Sequence, residues 1–382
     1  MAIEEIEKYS LPDSVWDIGI YDAHCHPTDN YKRLPRGLQQ MRASKLTIMA
    51  TRLDDQEKVH EAASQFPDRI VPSFGYHPWF THLLYTSQQA PTSKYDHYRA
   101  ILFPEPPEEF LDLLPDPVSL ESFITQLTTN VKRHPHALIG EVGIDRSFRL
   151  PKSGKQISFV ESDSSSSSSD DDAKSEASSC CGEADQRILS PFRVTLEHQK
   201  EVLLAQLGVA AKFERPVSVH GVQAHGVLFQ IFSELWAGVH IPSKKEKNRE
   251  KKLLNEERTE SSDNSPRPPP FPTRICLHSY SGPPDQISLW TNKRKIPAQV
   301  YFSFSIVINK RYGDKFNKVV QTVPDDRLLV ESDFPVAGER MEWLHAEIVL
   351  RVCEIKGWGV EEGAKILKNN WHEFVYGHND WN

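Results

Sequence analysis

Eight short apolar runs recur along the chain: DIGIYDAHCH (17–26), LTIMAT (46–51), IVPSFGYHP (70–78), ALIGEVGID (137–145), PVSVHGV (216–222), RICLHSYSG (274–282), QVYFSFS (299–305) and LLVESDFP (328–335). They are rich in β-branched and aromatic residues and short enough to be strands. Between them lie segments with apolar residues three and four apart, as in Leu120 to Arg133, Leu196 to Phe213 and Glu339 to Gly357. That spacing predicts helices with one buried face. Strand followed by helix, eight times, predicts a parallel sheet closed into an α/β (β/α)8 TIM barrel, with a doubly wound open sheet as the alternative.

Two stretches interrupt the pattern. Residues 151–190 contain ESDSSSSSSDDDAKSEASSCCGEAD, a serine and acid tract with almost nothing to bury. It is expected to be a disordered insertion, with phosphorylation of its serines as a second reading. Residues 243–272 open as a mixed-charge run and close in proline, which predicts a surface loop with a short helix. The remainder of 1–382 reads as a single domain with enough apolar content for a proper core.

The formal charge of -8 argues against passive binding to nucleic acid through a basic surface, so a phosphate-bearing substrate would need a local positive site. Five cysteines, Cys25, Cys180, Cys181, Cys276 and Cys353, show neither disulfide-framework nor zinc-finger spacing, which suits a reducing compartment. The N-terminus lacks the layout of a signal peptide, and no stretch approaches a membrane span. No membrane partner is expected, and the address is cytoplasmic or nuclear.

Ionisable residues fall at the C-terminal ends of the runs: His24 and His26, His77, Glu141, His220, His278 and Asp333. In a barrel these ends open onto one face, where barrel enzymes keep their active sites. His24 and His26 are two apart and share a strand face, so both imidazoles can point at one ion. With His77 set aside, four histidines and two carboxylates exceed the needs of one zinc, and two divalent ions are expected, whether Zn, Mg or Mn. Glu141 would bridge them, His24 and His26 completing one site and His220 and His278 the other, with Asp333 closing the first site or holding the water. Two such ions suit hydrolysis. Asp22 and Glu331 share faces with His24 and Asp333 and are candidates to orient ligand imidazoles, while Cys276 reads as core filler.

Six motifs carry a resemblance: Asp22-Ala-His24-Cys-His26, Gly75-Tyr-His77-Pro, Ile139-Gly-Glu141-Val-Gly-Ile-Asp145, Pro216-Val-Ser-Val-His220, Cys276-Leu-His278-Ser-Tyr-Ser-Gly282 and Leu329-Val-Glu331-Ser-Asp333-Phe-Pro335. In order and spacing they resemble the signatures of TatD-related metal-dependent hydrolases, and Asn370 resembles the asparagine that closes such sequences. The resemblance implies a barrel, a divalent-metal centre and phosphodiesterase chemistry on DNA, often as a 3'-to-5' exonuclease using a metal-activated hydroxide. It implies His24, His26, Glu141, His220, His278 and Asp333 as metal ligands, with Asp333 and Glu141 central to catalysis. His77 would contact phosphate at the rim.

The chain also departs from the family. His220 is followed by Gly221-Val222-Gln223, where relatives place a small polar residue and an arginine, and Asp145 is followed by Arg146-Ser147-Phe148-Arg149 in place of aromatic residues. Arg146 and Arg149 are the candidates for phosphate contact. The insertions resemble those of the fungal branch, which implies a protein partner in the cell-cycle machinery, an anaphase-promoting complex subunit. Two other functions stay open: a barrel hydrolase acting on amides or esters or deaminating a base, and a partner-binding protein with residual catalysis. Glu141, where many amidohydrolase barrels use a carbamylated lysine, favours the phosphodiesterase.

Overall fold

The computed structural model of the chain describes residues 10–86, 91–154, 188–241, 246 and 269–377. All eight apolar runs form strands of one sheet: β1 (Tyr21–Cys25), β2 (Lys45–Met49), β3 (Ile70–Phe74), β4 (Leu138–Asp145), β5 (Val217–Val222), β6 (Arg274–Leu277), β7 (Gln299–Phe304) and β8 (Leu328–Val330). Neighbours pair in parallel, in chain order. The first and last strands meet just beyond their ends, where the Asp333 amide donates to the His24 carbonyl (3.0 Å) and the His26 amide to that of Phe334 (3.0 Å). The sheet therefore closes as a barrel, and the open-sheet alternative falls.

Helices follow the strands in alternation: α1 (Leu34–Gln40), α2 (Leu53–Gln65), α3 (Leu120–Arg133), α4 (Leu196–Lys212), α5 (His225–Leu235), α6 (Pro284–Trp290), α7 (Asp314–Thr322) and α8 (Glu339–Lys356), with a final α9 (Val360–Tyr376). The three helices read from periodicity appear at the expected places. Their termini carry the expected chemistry: Ser119 caps α3 by accepting from the Ser122 amide, and α8 ends on Gly357 in the left-handed conformation. Strands and helices enclose a layer of buried aliphatic and aromatic side chains. A smaller cluster of Ala23, Val71, Leu138, Cys276, Tyr301 and Leu329 is stoppered by Trp371 and Phe374 of α9. Asn370, from the same helix, donates to the carbonyls of Asp325 (2.6 Å) and Leu328 (2.8 Å), tying α9 to the start of β8. The N-terminal end of the barrel is thus sealed, which leaves the C-terminal end for chemistry.

Between β3 and α4 the chain builds a satellite lobe with its own core of Tyr98, Ile101, Phe110, Leu111, Leu150 and Phe192. The margins of the expected insertion 151–190 belong to this lobe, because Pro151 pairs with Leu189 and the Lys152 amide donates to the Ile188 carbonyl (2.7 Å). Residues 155–187 of that insertion lie outside the described residues. So does nearly all of 243–272, whose last residues, Phe271 and Pro272, are buried in the fold. Cys25, Cys276 and Cys353 are buried free thiols, and no described helix is long and apolar enough to cross a membrane.

Candidate metal centre

The strand alternation that hides aliphatic residues behind the sheet delivers His24, Glu141, His220 and His278 into the barrel mouth, all at least nine-tenths buried. Asp333 follows β8 in a left-handed conformation (φ 49°), and Ser279 after β6 is similar (φ 40°). Backbone strain of this kind costs of order 1–3 kcal/mol and persists where surrounding structure imposes it. Here it turns Asp333 towards the histidines.

Glu141 is the hub. Its Oε1 lies 2.7 Å from Nε2 of His278, 2.8 Å from Nδ1 of His220 and 3.0 Å from Nε2 of His77. Its Oε2 lies 3.3 Å from Nε2 of both His24 and His26. One carboxylate thus faces imidazoles at each oxygen, and the two sets meet where the His24 and His278 rings stack at 3.9 Å, His24, His278 and Asp333 forming a further donor group. Asp333 Oδ1 adds to the His24 and His26 set, 3.6 Å from His26 Nε2 and 3.9 Å from His24 Nε2. The two Nε2 atoms of His24 and His26 are only 3.0 Å apart. Ligand atoms of a tetrahedral zinc sit about 3.3 Å from one another, so these separations are those of donors prepared for a cation. The groups His24, His26 and Glu141, and His77, Glu141 and His220, each bring their donor atoms within 4.8 Å.

The electrostatics agree. Burial alone would raise the Glu141 carboxyl, but the surrounding imidazoles of His77, His278 and His24 hold it well below the usual range. Asp333 likewise falls to about 2, since the hydrogen bond from His26 and the nearby His24 and His278 outweigh burial. In return the carboxylates lift His278 to about 10 and His26 well above its ordinary value, against the opposing effect of burial. Two buried carboxylates that stay ionised require positive charge beside them. Five imidazoles and two carboxylates fit divalent ions of the zinc or manganese kind, which would supply the positive charge in place of protons on the rings.

A further ring of groups aims the imidazoles. Ser218 Oγ lies 2.9 Å from His24 Nδ1, and Asp145 Oδ2 lies 3.1 Å from His220 Nε2. Asp145 also accepts from the Trp79 indole (2.7 Å) and from the amides of Ser147 (2.7 Å) and Phe148 (2.9 Å). Glu331 Oε1 accepts from the Ser279 amide (2.8 Å) and lies 3.7 Å from His278 Nδ1, near that ring without a hydrogen bond to it. Asp22 orients no imidazole: its Oδ1 accepts from the amides of His24 (3.0 Å) and Ser332 (3.1 Å), bracing the β1–β8 seam instead of a ring.

Three expectations change with the geometry. His77 is buried against Glu141 and His220, a donor inside the cluster and not a rim contact. Arg146 is exposed and Arg149 half-buried, and neither lines the cavity of about 400 Å³ above the histidines, because the chain turns away after Asp145 into the satellite lobe. The arginine that does line it is Arg311, which lies against Tyr312; Trp79 and Phe80 line the same cavity. Asp145 and Ser218 were accessible to the same two-residue alternation that linked His24 with His26, since they sit four after Glu141 and two before His220. Arg311 and Trp79 come from loops and carried no periodic signal.

The geometry has counterparts in known proteins. A profile of the TatD related DNase family matches residues 21–376. Cut9-interacting protein scn1 of Schizosaccharomyces pombe is 38% identical over 361 residues, covering 93% of this chain and 98% of that protein. A Saccharomyces cerevisiae protein described as an uncharacterized deoxyribonuclease is 24% identical, covering 86% of this chain and 91% of its own. Among solved structures, a TatD family hydrolase of Entamoeba histolytica superposes with a TM-score of 0.54 at 13% identity, covering 94% of this chain and 99% of that one. The Escherichia coli TatD homolog YjjV gives 0.52 at 16% identity, with 93% and 97% covered. These likenesses extend over the whole barrel, and the chain belongs to the TatD-related DNase family.

Proposed function

We propose that this chain is a divalent-metal-dependent phosphodiesterase that removes nucleotides from the 3' end of DNA. Family membership supports a metal-dependent hydrolase, and the finer reading rests on the division of Glu141 between two imidazole groups. His24, His26 and Asp333 with one Glu141 oxygen would hold one ion; His220 and His278, with His77 close by, would hold a second at the other oxygen. Such ions, when bound, polarise a phosphoryl oxygen and make water acidic enough to attack near neutral pH.

The residues supply the rest. Asp333, ionised and lying beside the His24 and His26 nitrogens, accepts the proton of the attacking water at its carboxylate. Asp145 keeps the His220 ring aimed at Glu141, while Glu331 lies close enough to His278 for an electrostatic contact. Burial of the imidazoles excludes bulk water from all but the open mouth.

The test uses single-stranded DNA labelled at either end, with metal-loaded protein, chelated protein and Asp333→Asn. Loss of nucleotides from the 3' end only, abolished by chelation and reduced at least about a hundredfold by the substitution, is the expected result. Equal degradation by all three preparations sinks the proposal, and release from the 5' end sinks its polarity.

A second role is favoured by one observation, the name of the fission-yeast relative, which marks that protein as interacting with Cut9. We propose a protein partner for this chain as well, engaged through the segments 155–187 or 247–268. Deleting one of the two segments should abolish co-purification with the partner while leaving hydrolysis intact; retained binding by both deletions would refute it.

A further inference from the structure

The cavity above the histidines is lined by four carboxylates, Asp29, Glu141, Asp145 and Asp333. A strand of DNA is a chain of anions, and ions held deep in the cluster compensate only the phosphate that reaches them. Phosphates elsewhere on the bound strand lie beyond the reach of those ions. Among the described residues, Arg311 is the only lysine or arginine lining the cavity, and no carboxylate pairs with it. It lies in the single turn Lys310–Tyr312 that follows β7. The guanidinium is not loose: it donates to the Tyr312 hydroxyl (3.1 Å) and lies 5.0 Å from the centre of that ring. Lys315 approaches the same ring at 5.3 Å while donating to the Ser281 carbonyl (2.7 Å), so the aromatic plate is fixed among cations at the mouth.

We propose that Arg311 binds a backbone phosphate of the DNA strand adjacent to the one being cleaved, and so sets the preference for polynucleotides over small phosphodiesters. The inference rests on the phosphodiesterase reading for its substrate. Guanidinium presents a planar fork of donors that matches phosphate oxygens, and an exposed arginine without a carboxylate partner loses no ion pair on engaging one. The site also meets the need for a local positive group that the net charge of -8 creates. Tyr312 acts as a positioning residue, holding the fork over the cavity.

The experiment compares full-length, metal-loaded wild type, Arg311→Met, Arg311→Lys and Tyr312→Phe on a short single-stranded oligonucleotide and on bis(p-nitrophenyl) phosphate, which has one phosphate only. Equilibrium binding of the same oligonucleotide is followed by fluorescence anisotropy. Arg311→Met should raise the oligonucleotide KM and Kd about tenfold, the size expected for a hydrogen bond to a charged group. The KM for the small diester should stay put. The slope of log Kd against log salt should shrink by about 0.7, the share of one phosphate contact on a single strand. Arg311→Lys should restore that slope, with only part of the affinity, and Tyr312→Phe should show a smaller loss of the same kind. Equal changes for both substrates, or unaltered oligonucleotide binding, would overturn the role of Arg311. Binding decides the matter even if wild type hydrolyses no DNA, an outcome that would sink the proposed activity alone; wild type that fails to bind the oligonucleotide overturns this inference too.

Discussion

His24 Nδ1 and Ser218 Oγ lie 2.9 Å apart across the barrel interior, joining β1 to β5. The contact engages one nitrogen of the imidazole and leaves the other, Nε2, facing His26 and Glu141. A hydrogen bond of this kind fixes tautomer and ring orientation for a metal. Ser218→Ala should therefore weaken one bound ion by about tenfold to a hundredfold with little loss of fold stability. Chelator competition followed by elemental analysis measures it, and unchanged affinity would remove Ser218 from the site.

Asp145 makes the corresponding contact with His220, on the other side of Glu141. Asp145→Asn can no longer accept in charged form from His220 Nε2, and the Trp79 anchor weakens with it. On the proposed two-ion reading, the ion lost should be the one served by His220 and His278, so metal content should fall by about one equivalent. If Ser218→Ala and Asp145→Asn are combined, both ions should be affected independently, because the two variants act on different oxygens of Glu141. Loss of the same ion in both single variants would contradict a division of Glu141 between two sites.

The barrel and its rim were legible because both are written in a period of two. Strand residues that face the interior repeat at every second position, so HCH at 24–26 announced its shared face unaided. Chain order also sufficed to place His220, His278 and Asp333 on the same end. What the sequence withheld lies in loops. Arg146 and Arg149 follow the fourth strand directly and looked well placed, but the chain leaves the rim there to build the lobe around Phe110 and Phe192. Arg311 sits beyond β7, which ends without any ionisable residue, and nothing in QVYFSFS marked its loop as part of the site.

Three other buried histidines set an acid limit on stability. His82 Nδ1 donates to the Trp79 carbonyl (3.1 Å), His97 Nε2 to that of His82 (2.8 Å) and His198 Nε2 to that of Thr81 (2.9 Å). Burial lowers all three, His82 to about 3 and His97 to about 4. The folded chain thus refuses protons that the unfolded chain accepts below about pH 6.5. Stability is fully present above that pH and declines as pH falls towards 4, by at most about 1.4 kcal/mol per pH unit for each histidine. His97→Gln preserves the hydrogen bond without the titration. Urea midpoints at pH 7, 6 and 5, in chelator, should show a shallower decline for this variant than for wild type. Parallel curves would rule His97 out.

Gly143 shows how tightly the site constrains the backbone that carries it. It lies opposite His220 in the β4–β5 pairing at φ 155°, a conformation that L side chains rarely adopt. A methyl group there would collide with the His220 carbonyl oxygen and come within 2.8 Å of its carbon, both rigid main-chain atoms. Gly143→Ala must therefore push the two strands apart or move His220, at a cost of about 3 kcal/mol or more once overpacking and strain combine. Gly208, by contrast, is an exposed residue within α4, and a methyl group added to it would meet nothing within 4 Å. Gly208→Ala should stabilise the chain by about 0.5–1 kcal/mol, since alanine loses less backbone freedom in a helix. Urea unfolding of both variants separates the two effects, and elemental analysis of Gly143→Ala should show loss of the ion beside His220. A Gly143→Ala protein as stable and as metal-rich as wild type would mean that β4 and β5 are not held together this closely.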